Sequence, residues 1–166
     1  MKEYYSKVFR AIFIILILLA ITRFFIISPG KISGNSMEPN YHEKQTVFIN
    51  KIIYLFKKPE RFDVVEMVEP RTNKIMIKRI IGLPGETLTI KNGRVFIQAK
   101  QGSPLIPLSE SYLSQNIQTT GADAETVSVL GSDSYYMLGD KREVSTDSRI
   151  YGPINRKDIL GKIMKF

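Results

Sequence analysis

A single uncharged stretch near the start of the chain sets most of what it can fold into. From Ala11 to Thr22 it reads AIFIILILLAIT, and Val8, Phe9 and the run from Phe24 to Ile27 extend it to about 20 residues, broken only by Arg10 and Arg23. A helix of that length crosses a bilayer. A charge at the centre of a span is costly, whereas near an end the long arginine stem carries its head to the interface, so Arg23 marks the exit. Lys2, Lys7 and Arg10 against Glu3 place the N-terminus in the cytoplasm by the positive-inside rule. The expected organisation is therefore residues 1–10 cytoplasmic, 11–28 a single-pass anchor in the cell membrane, and 29–166 an extracytoplasmic domain. A cleaved secretory signal would share the charged start and the apolar core. The following FFIISPGKISGN, however, has no small-x-small site close behind that core, which favours an uncleaved anchor.

With 166 residues, the chain has room for one core and an anchor but not for two ordinary domains. The formal net charge of +8 does not by itself choose among nucleic acid, membrane and acidic substrate. Setting aside Lys2, Glu3, Lys7, Arg10 and Arg23 leaves 20 basic and 15 acidic residues outside the anchor region, which suits a domain resting on anionic headgroups. With no cysteine, thiol catalysis, disulfides and cysteine-based zinc sites are excluded. His42 is the only histidine; it rules out a two-histidine metal site and sits in a polar stretch that reads as solvated surface. No metal or cofactor is expected.

Beyond the anchor, short runs rich in β-branched and aromatic residues are punctuated by Gly, Pro and Asn. They are Thr46 to Asn50, Asp63 to Val68, Lys74 to Ile81, Thr87 to Ile90, Val95 to Ile97 and Ser134 to Leu138. Asn92-Gly93 between TLTI and RVFI is a strong hairpin signal. The expected fold is mostly β, an antiparallel sheet preceded by one transmembrane helix. Residues Gln98 to Asp133 carry turn formers without periodicity and read as an elaborated loop or non-catalytic subdomain. Ile52 to Phe56, followed by Lys57 and Lys58, fits either an interfacial element or a core strand. Neither a helix-turn-helix nor a basic tail is present, so nucleic acid is not an expected partner.

Four stretches carry polar chemistry: Ser33 to Pro39, Arg61 to Val65, Lys78 to Glu86, and Gly139 to Arg149. Each taken alone reads as turn or surface. Ser36 does not fit G-x-S-x-G, because Glu38 stands at the second glycine, and no lysine follows at the spacing of S-x-x-K.

In their order and wording, however, Ser36-Met37-Glu38-Pro39, the K-R-x-x-G-x-P-G-E run from Lys78 to Glu86, and the G-D-x-R-x-x-S-x-D-S-R run from Gly139 to Arg149 resemble type I signal peptidases of peptidase family S26, in their short Gram-positive form. The resemblance covers the anchor and the rest of the chain except Gln98 to Asp133. It implies a membrane-bound serine endopeptidase, with Ser36 as nucleophile and Lys78 as general base. It further implies that Ser145 hydrogen-bonds the lysine, and that Asp147 and Arg149 form a structural ion pair. The substrates would be preprotein signal peptides cleaved after small-x-small sites at the bilayer surface, with the secretion machinery as a further partner. Met37, Val47 and Ile77 are the expected walls of the substrate pockets.

The physics of the residues is compatible with those roles. A serine needs a base, and a lysine serves only when burial lowers its pKa from about 10.4. Strand alternation puts Lys78 on one face with Met76 and Ile80, and Arg79 on the other with Ile77 and Ile81. The Ser36 backbone N–H is the natural oxyanion donor. Where some relatives carry a hydroxyl two residues earlier, this chain has Gly34; either Gly34 admits the substrate backbone or Ser33 contributes instead. Asn40 and Lys141 also depart from the family pattern, and Lys141 either depresses the lysine pKa or occupies the surface. Two other readings share the Ser/Lys pair. One is a signal-peptidase-like paralogue dedicated to pilus assembly; the other is a LexA-like self-cleaving repressor, whose DNA-binding segment is missing here.

Overall fold

The computed structural model describes residues 1–114, 117–121 and 125–164, with the side chains of residues 21–25 outside the description. Helix α1, Lys2–Ile26, runs directly into β1, Ile27–Lys31. There follow β2 (Thr46–Asn50), α2 (Ile53–Phe56), β3 (Val64–Val68), β4 (Ile75–Gly82), β5 (Thr87–Lys91), β6 (Arg94–Gln98), β7 (Ile106–Pro107), β8 (Glu125–Val129), β9 (Ser134–Leu138), α3 (Ser148–Tyr151), β10 (Ile154–Asn155) and β11 (Ile159–Met164). Seven strands form one antiparallel sheet in the order β1-β2-β11-β3-β4-β9-β10, and four form a second in the order β7-β6-β5-β8. The fold is mostly β and antiparallel.

Alternation along two central strands builds the core on both sides. Ile80 of β4 and Tyr135 and Met137 of β9 join Val65 and Met67 in one buried cluster. Ile81, Tyr136 and Leu138 point the other way, into a cluster with Leu88, Ile90 and Val95 of the small sheet. A third cluster, around Met37, Val47, Ile49, Val64 and Ile163, lies under the segment that carries Ser36. The hairpin between β5 and β6 turns at Asn92 (φ 49°) and Gly93 (φ 73°), the left-handed pair that a two-residue turn requires.

Several elements differ from the sequence expectation. Strand β1 contains Pro29 and Gly30, tolerated because it is an edge strand that need not donate a full ladder of hydrogen bonds. The central strand β11 is masked in the sequence by Gly161, which sits where the register against β3 shifts and where a Cβ would lie 2.7 Å from Asn50 O. Ile52 to Phe56 is not a core strand but the helical turn α2, with only Tyr54 buried. Within residues 98–133, strands β7 and β8 complete the small sheet, so much of this stretch is a subdomain rather than a loop; residues 115–116 and 122–124 lie outside the described residues.

At 25 residues, α1 is about 37 Å long. Its side chains from Phe9 to Leu19 include nine large apolar residues more than two-fifths exposed, among them Phe9, Ile12, Phe13 and Leu19. Among the described residues no helix is long and apolar enough to cross a membrane. The side chain of Arg23, the expected exit marker, lies outside the described residues. The end of α1 is tied to the sheet: Lys51 N donates to Ile26 O at 3.0 Å. From that point one row of cross-strand partners, Ile27, Asn50, Lys162, Val65 and Lys78, crosses the large sheet.

Candidate active site

Lys78 is the feature of the fold that most needs a reason. Strand β4 carries it to the middle of the large sheet opposite Val65, where it is 2% exposed. Its amino group lies 2.7 Å from Ser36 Oγ and forms a hydrogen bond with it. Burial lowers its pKa from 10.5 to about 8. Asp147 and Asp140 pull it back up, while Arg149 pushes it further down. A large fraction of this amine is therefore neutral at mildly alkaline pH, and only the neutral amine accepts a proton.

The segment carrying Ser36 is held against the Gly139–Arg149 stretch. Lys141 N donates to Ser36 O at 3.0 Å. A Cβ at position 139 would fall on the Ser145 side chain and 2.6 Å from Ser36 O, so only glycine allows this approach. Asp147 is fully buried and organises the stretch. It accepts from Gly139 N at 3.0 Å and caps α3 at Arg149 N, and its two oxygens receive Arg149 Nε and Nη2 at 2.8 Å each. Arg149 also donates to Arg142 O at 2.7 Å and Ser145 O at 3.3 Å.

The neighbour of Lys78 is also buried, but it is paired. Arg79 makes a two-pronged ion pair with Asp140 at 2.8 and 2.6 Å, and its guanidinium lies 4.1 Å from the Tyr112 ring centroid. Asn40 completes this group by donating to Asp140 at 3.0 Å and to Tyr112 O at 2.9 Å. Lys141 points elsewhere. Its ammonium pairs with Glu38 at 2.9 Å, both partly exposed, and it is not among the charges that shift Lys78.

Other expected residues fall out differently. Ser145 Oγ is buried without a hydrogen-bond partner, so the bond to Lys78 implied by the resemblance is not made; the side chain is packed over Gly139 instead. Gly34 has φ +80° and open space where a Cβ would be, so its backbone conformation, rather than a close approach, calls for glycine. Met37, 1% exposed, and Val47 are core members beneath the site. Ile77, packed against the same cluster, is the one of the three with accessible surface. Among the described residues no group of three or more His, Asp or Glu side chains is placed to hold a metal ion.

Sequence reading missed the contribution of the 98–133 stretch. Arg142, 2% exposed, donates to Gly139 O at 3.0 Å, to Tyr112 Oη at 2.9 Å and to Glu110 at 2.5 and 3.1 Å, and also to Thr119 Oγ1. Glu110 and Tyr112 thereby fasten the subdomain to the loop under Ser36. The only signal was Arg142 itself, and its sequence neighbours Asp140 and Glu143 pointed away from the distant partner Glu110 that it meets.

The family description "signal peptidase, peptidase S26" matches residues 5–166. The chain belongs to this signal peptidase family. It is 37% identical over 138 residues to signal peptidase I V of Bacillus subtilis, covering 80% of this chain and 81% of that one. It is 30% identical over 177 residues to signal peptidase IB of Staphylococcus aureus, covering 98% and 89%. Among solved structures, a signal peptidase I from Enterococcus faecalis superposes with a TM-score of 0.53 at 30% identity, covering 65% of this chain and 98% of that one. As a member of this family the chain is a serine endopeptidase, and its antiparallel sheets are the signal-peptidase fold.

Proposed function

We propose that this chain is a membrane-anchored signal peptidase that removes N-terminal signal peptides from exported preproteins after small-x-small sites, with Ser36 as nucleophile and Lys78 as general base. The observation that carries the proposal is the buried amine of Lys78, 2.7 Å from Ser36 Oγ, with its pKa lowered to about 8. Neutral Lys78 takes the hydroxyl proton as Oγ attacks the scissile carbonyl carbon. The Ser36 backbone N–H donates to the oxyanion that forms. Lys78, now protonated, gives its proton to the leaving amine, and the released mature chain departs. A water molecule then attacks the acyl-enzyme with Lys78 again as base, freeing the signal peptide and Ser36.

In this reading α1 is the anchor. The uncharged run from Ala11 to Ala20 is exposed along the helix, and a lipid environment supplies the apolar contacts that the protein does not. The row from Ile27 to Lys78 supports a site near the bilayer, because the lysine lies four strand spacings, about 19 Å, along the sheet from the point where α1 ends. Asp147, Arg149, Asp140 and Arg79 hold the dyad in place without touching substrate. Incubation of a preprotein bearing a small-x-small site with wild type and with Ser36→Ala tests the proposal. Wild type yields the mature protein cut after the small residue and Ser36→Ala leaves the precursor intact; equal processing by both would refute it.

A further inference from the structure

Strand β4 has one side free where Lys78 and Ser36 meet. Its register with β3 runs from Ile75 to Arg79, but β9 joins the other side only from Arg79 onward. Among the described residues, Ile75 to Lys78 therefore present an unpaired strand edge, at the end of which Lys78 reaches Ser36 Oγ. An extended peptide adds to such an edge as a further strand, its side chains alternating between the two faces of the sheet. Past Lys78 the edge is occupied by β9. A substrate with its scissile bond at Ser36 thus lays the residues before that bond along β4, from Lys78 back towards Ile75.

One side chain beside this edge does not fit an apolar pocket. Ile77 packs against the cluster of Met37, Val47 and Val64, and its cross-strand partner on the same face is Glu66 of β3. On the other side of Glu66 the β11 partner is Gly161, which has no side chain to cover it. Glu66 is half-buried, and burial raises its pKa, offset in part by the Lys51 ammonium. Among the described residues its carboxylate makes no hydrogen bond or ion pair, whereas Glu38, Asp63, Asp140 and Asp147 each meet a lysine or an arginine. A partly desolvated carboxylate without a partner costs stability, and a cation brought by a ligand offsets that cost.

We infer that Glu66 selects a basic side chain at the third residue before the scissile bond. Alternation puts the first and third residues before the bond on one face, about 7 Å apart. The first lies over Met37, the neighbour of Ser36, and the third lies further along, beside Ile77. A lysine or arginine there rests its apolar stem on Ile77 and carries its charge towards Glu66, whose strand is two strand spacings, about 10 Å, from the substrate backbone. A small residue also fits but does not reach the carboxylate. The inference rests on the reading of the chain as a signal peptidase and names, within that reading, the class of preprotein it cleaves best.

The test uses preproteins that share a small residue before the bond and differ only at the third residue before it, which is Lys, Gln, Glu or Ala. The full-length protein in detergent cleaves each, and kcat/KM is compared. A half-buried ion pair corresponds to about a tenfold preference, so wild type should cleave the Lys preprotein about tenfold better than the Gln one, with the Glu one slower still. Glu66→Gln should bring Lys and Gln to parity. Glu66→Lys should reverse the order of the Lys and Glu preproteins, which a loosened fold alone does not do. A wild-type rate for Lys no higher than for Gln overturns the inference without recourse to a variant, and a preference for Lys that survives Glu66→Gln overturns it by assigning the selection to another residue. If wild type cleaves the Ala preprotein and Ser36→Ala does not, the peptidase reading stands apart from either result. Failure of wild type to cleave any of the four overturns that reading and the inference with it.

Discussion

Replacing Lys78 with methionine should make the protein more stable at neutral pH while abolishing cleavage. The folded-state pKa of Lys78 is about 8 against 10.5 for the free side chain. Below pH 8 the lysine is protonated in both states, and the folded state carries the full desolvation penalty of the ammonium. The difference of about 2.5 units corresponds to about 3 kcal/mol. Between pH 8 and 10.5 the unfolded chain binds the proton and the folded chain does not, so wild-type stability rises with pH across that window and the penalty is gone above it. Methionine has a similar volume and no charge. It also deprives Ser36 of a hydrogen bond, which costs up to about 1 kcal/mol at a half-buried hydroxyl. The net expectation is stabilisation by about 2–3 kcal/mol at pH 7, or about 5–10 °C in Tm for a chain of this size, falling towards zero by pH 10.5. Thermal denaturation of wild type and Lys78→Met in the same detergent, at several pH values from 6.5 to 10.5, reads this directly. A Lys78→Met protein less stable than wild type at pH 7, or a difference that does not shrink as pH rises, would refute the claim that burial lowers this lysine's pKa.

Two further substitutions probe the support beneath the dyad. Gly139→Ala drives a Cβ against Ser36 O and the Ser145 side chain and should destabilise by about 1–3 kcal/mol, with cleavage reduced at least tenfold at unchanged precursor binding; a steady-state assay showing wild-type kcat would count against the close approach. Glu110→Gln strips the buried Arg142 guanidinium of its carboxylate and should cost about 3 kcal/mol in urea denaturation. Because Arg142 also holds Gly139 O, cleavage should fall as well, and stability unchanged by the substitution would separate the 98–133 subdomain from the site.

The sequence carried the parts of this site that local chemistry can carry. Strand alternation separated Lys78 from Arg79, and β-branched runs located β2, β3, β4, β5, β6 and β9, with Asn92-Gly93 marking the turn between β5 and β6. It did not reveal strands whose identity depends on where they lie. Pro29 and Gly30 are unremarkable in an edge strand and misleading out of context, and Gly161 hides the central strand β11. Partners distant in sequence were also hidden: Arg79 with Asp140 lies 61 positions apart, and Arg142 with Glu110 lies 32 apart. The wording of a motif gives no indication of which long-range carboxylate meets which guanidinium. Ser145 shows the converse limit, since its motif position implied a bond to Lys78 that the packing over Gly139 does not make.

If a lysine with its pKa lowered by burial is the base for Ser36, the pH dependence of kcat/KM for preprotein cleavage must follow the ionisation of that lysine. The rate should rise about tenfold per pH unit from acid solution, bend near pH 8 and be level above it, because kcat/KM reports the ionisation of the free enzyme's base. A profile that is flat across that range, or one that bends near the ordinary pKa of a lysine, would contradict it.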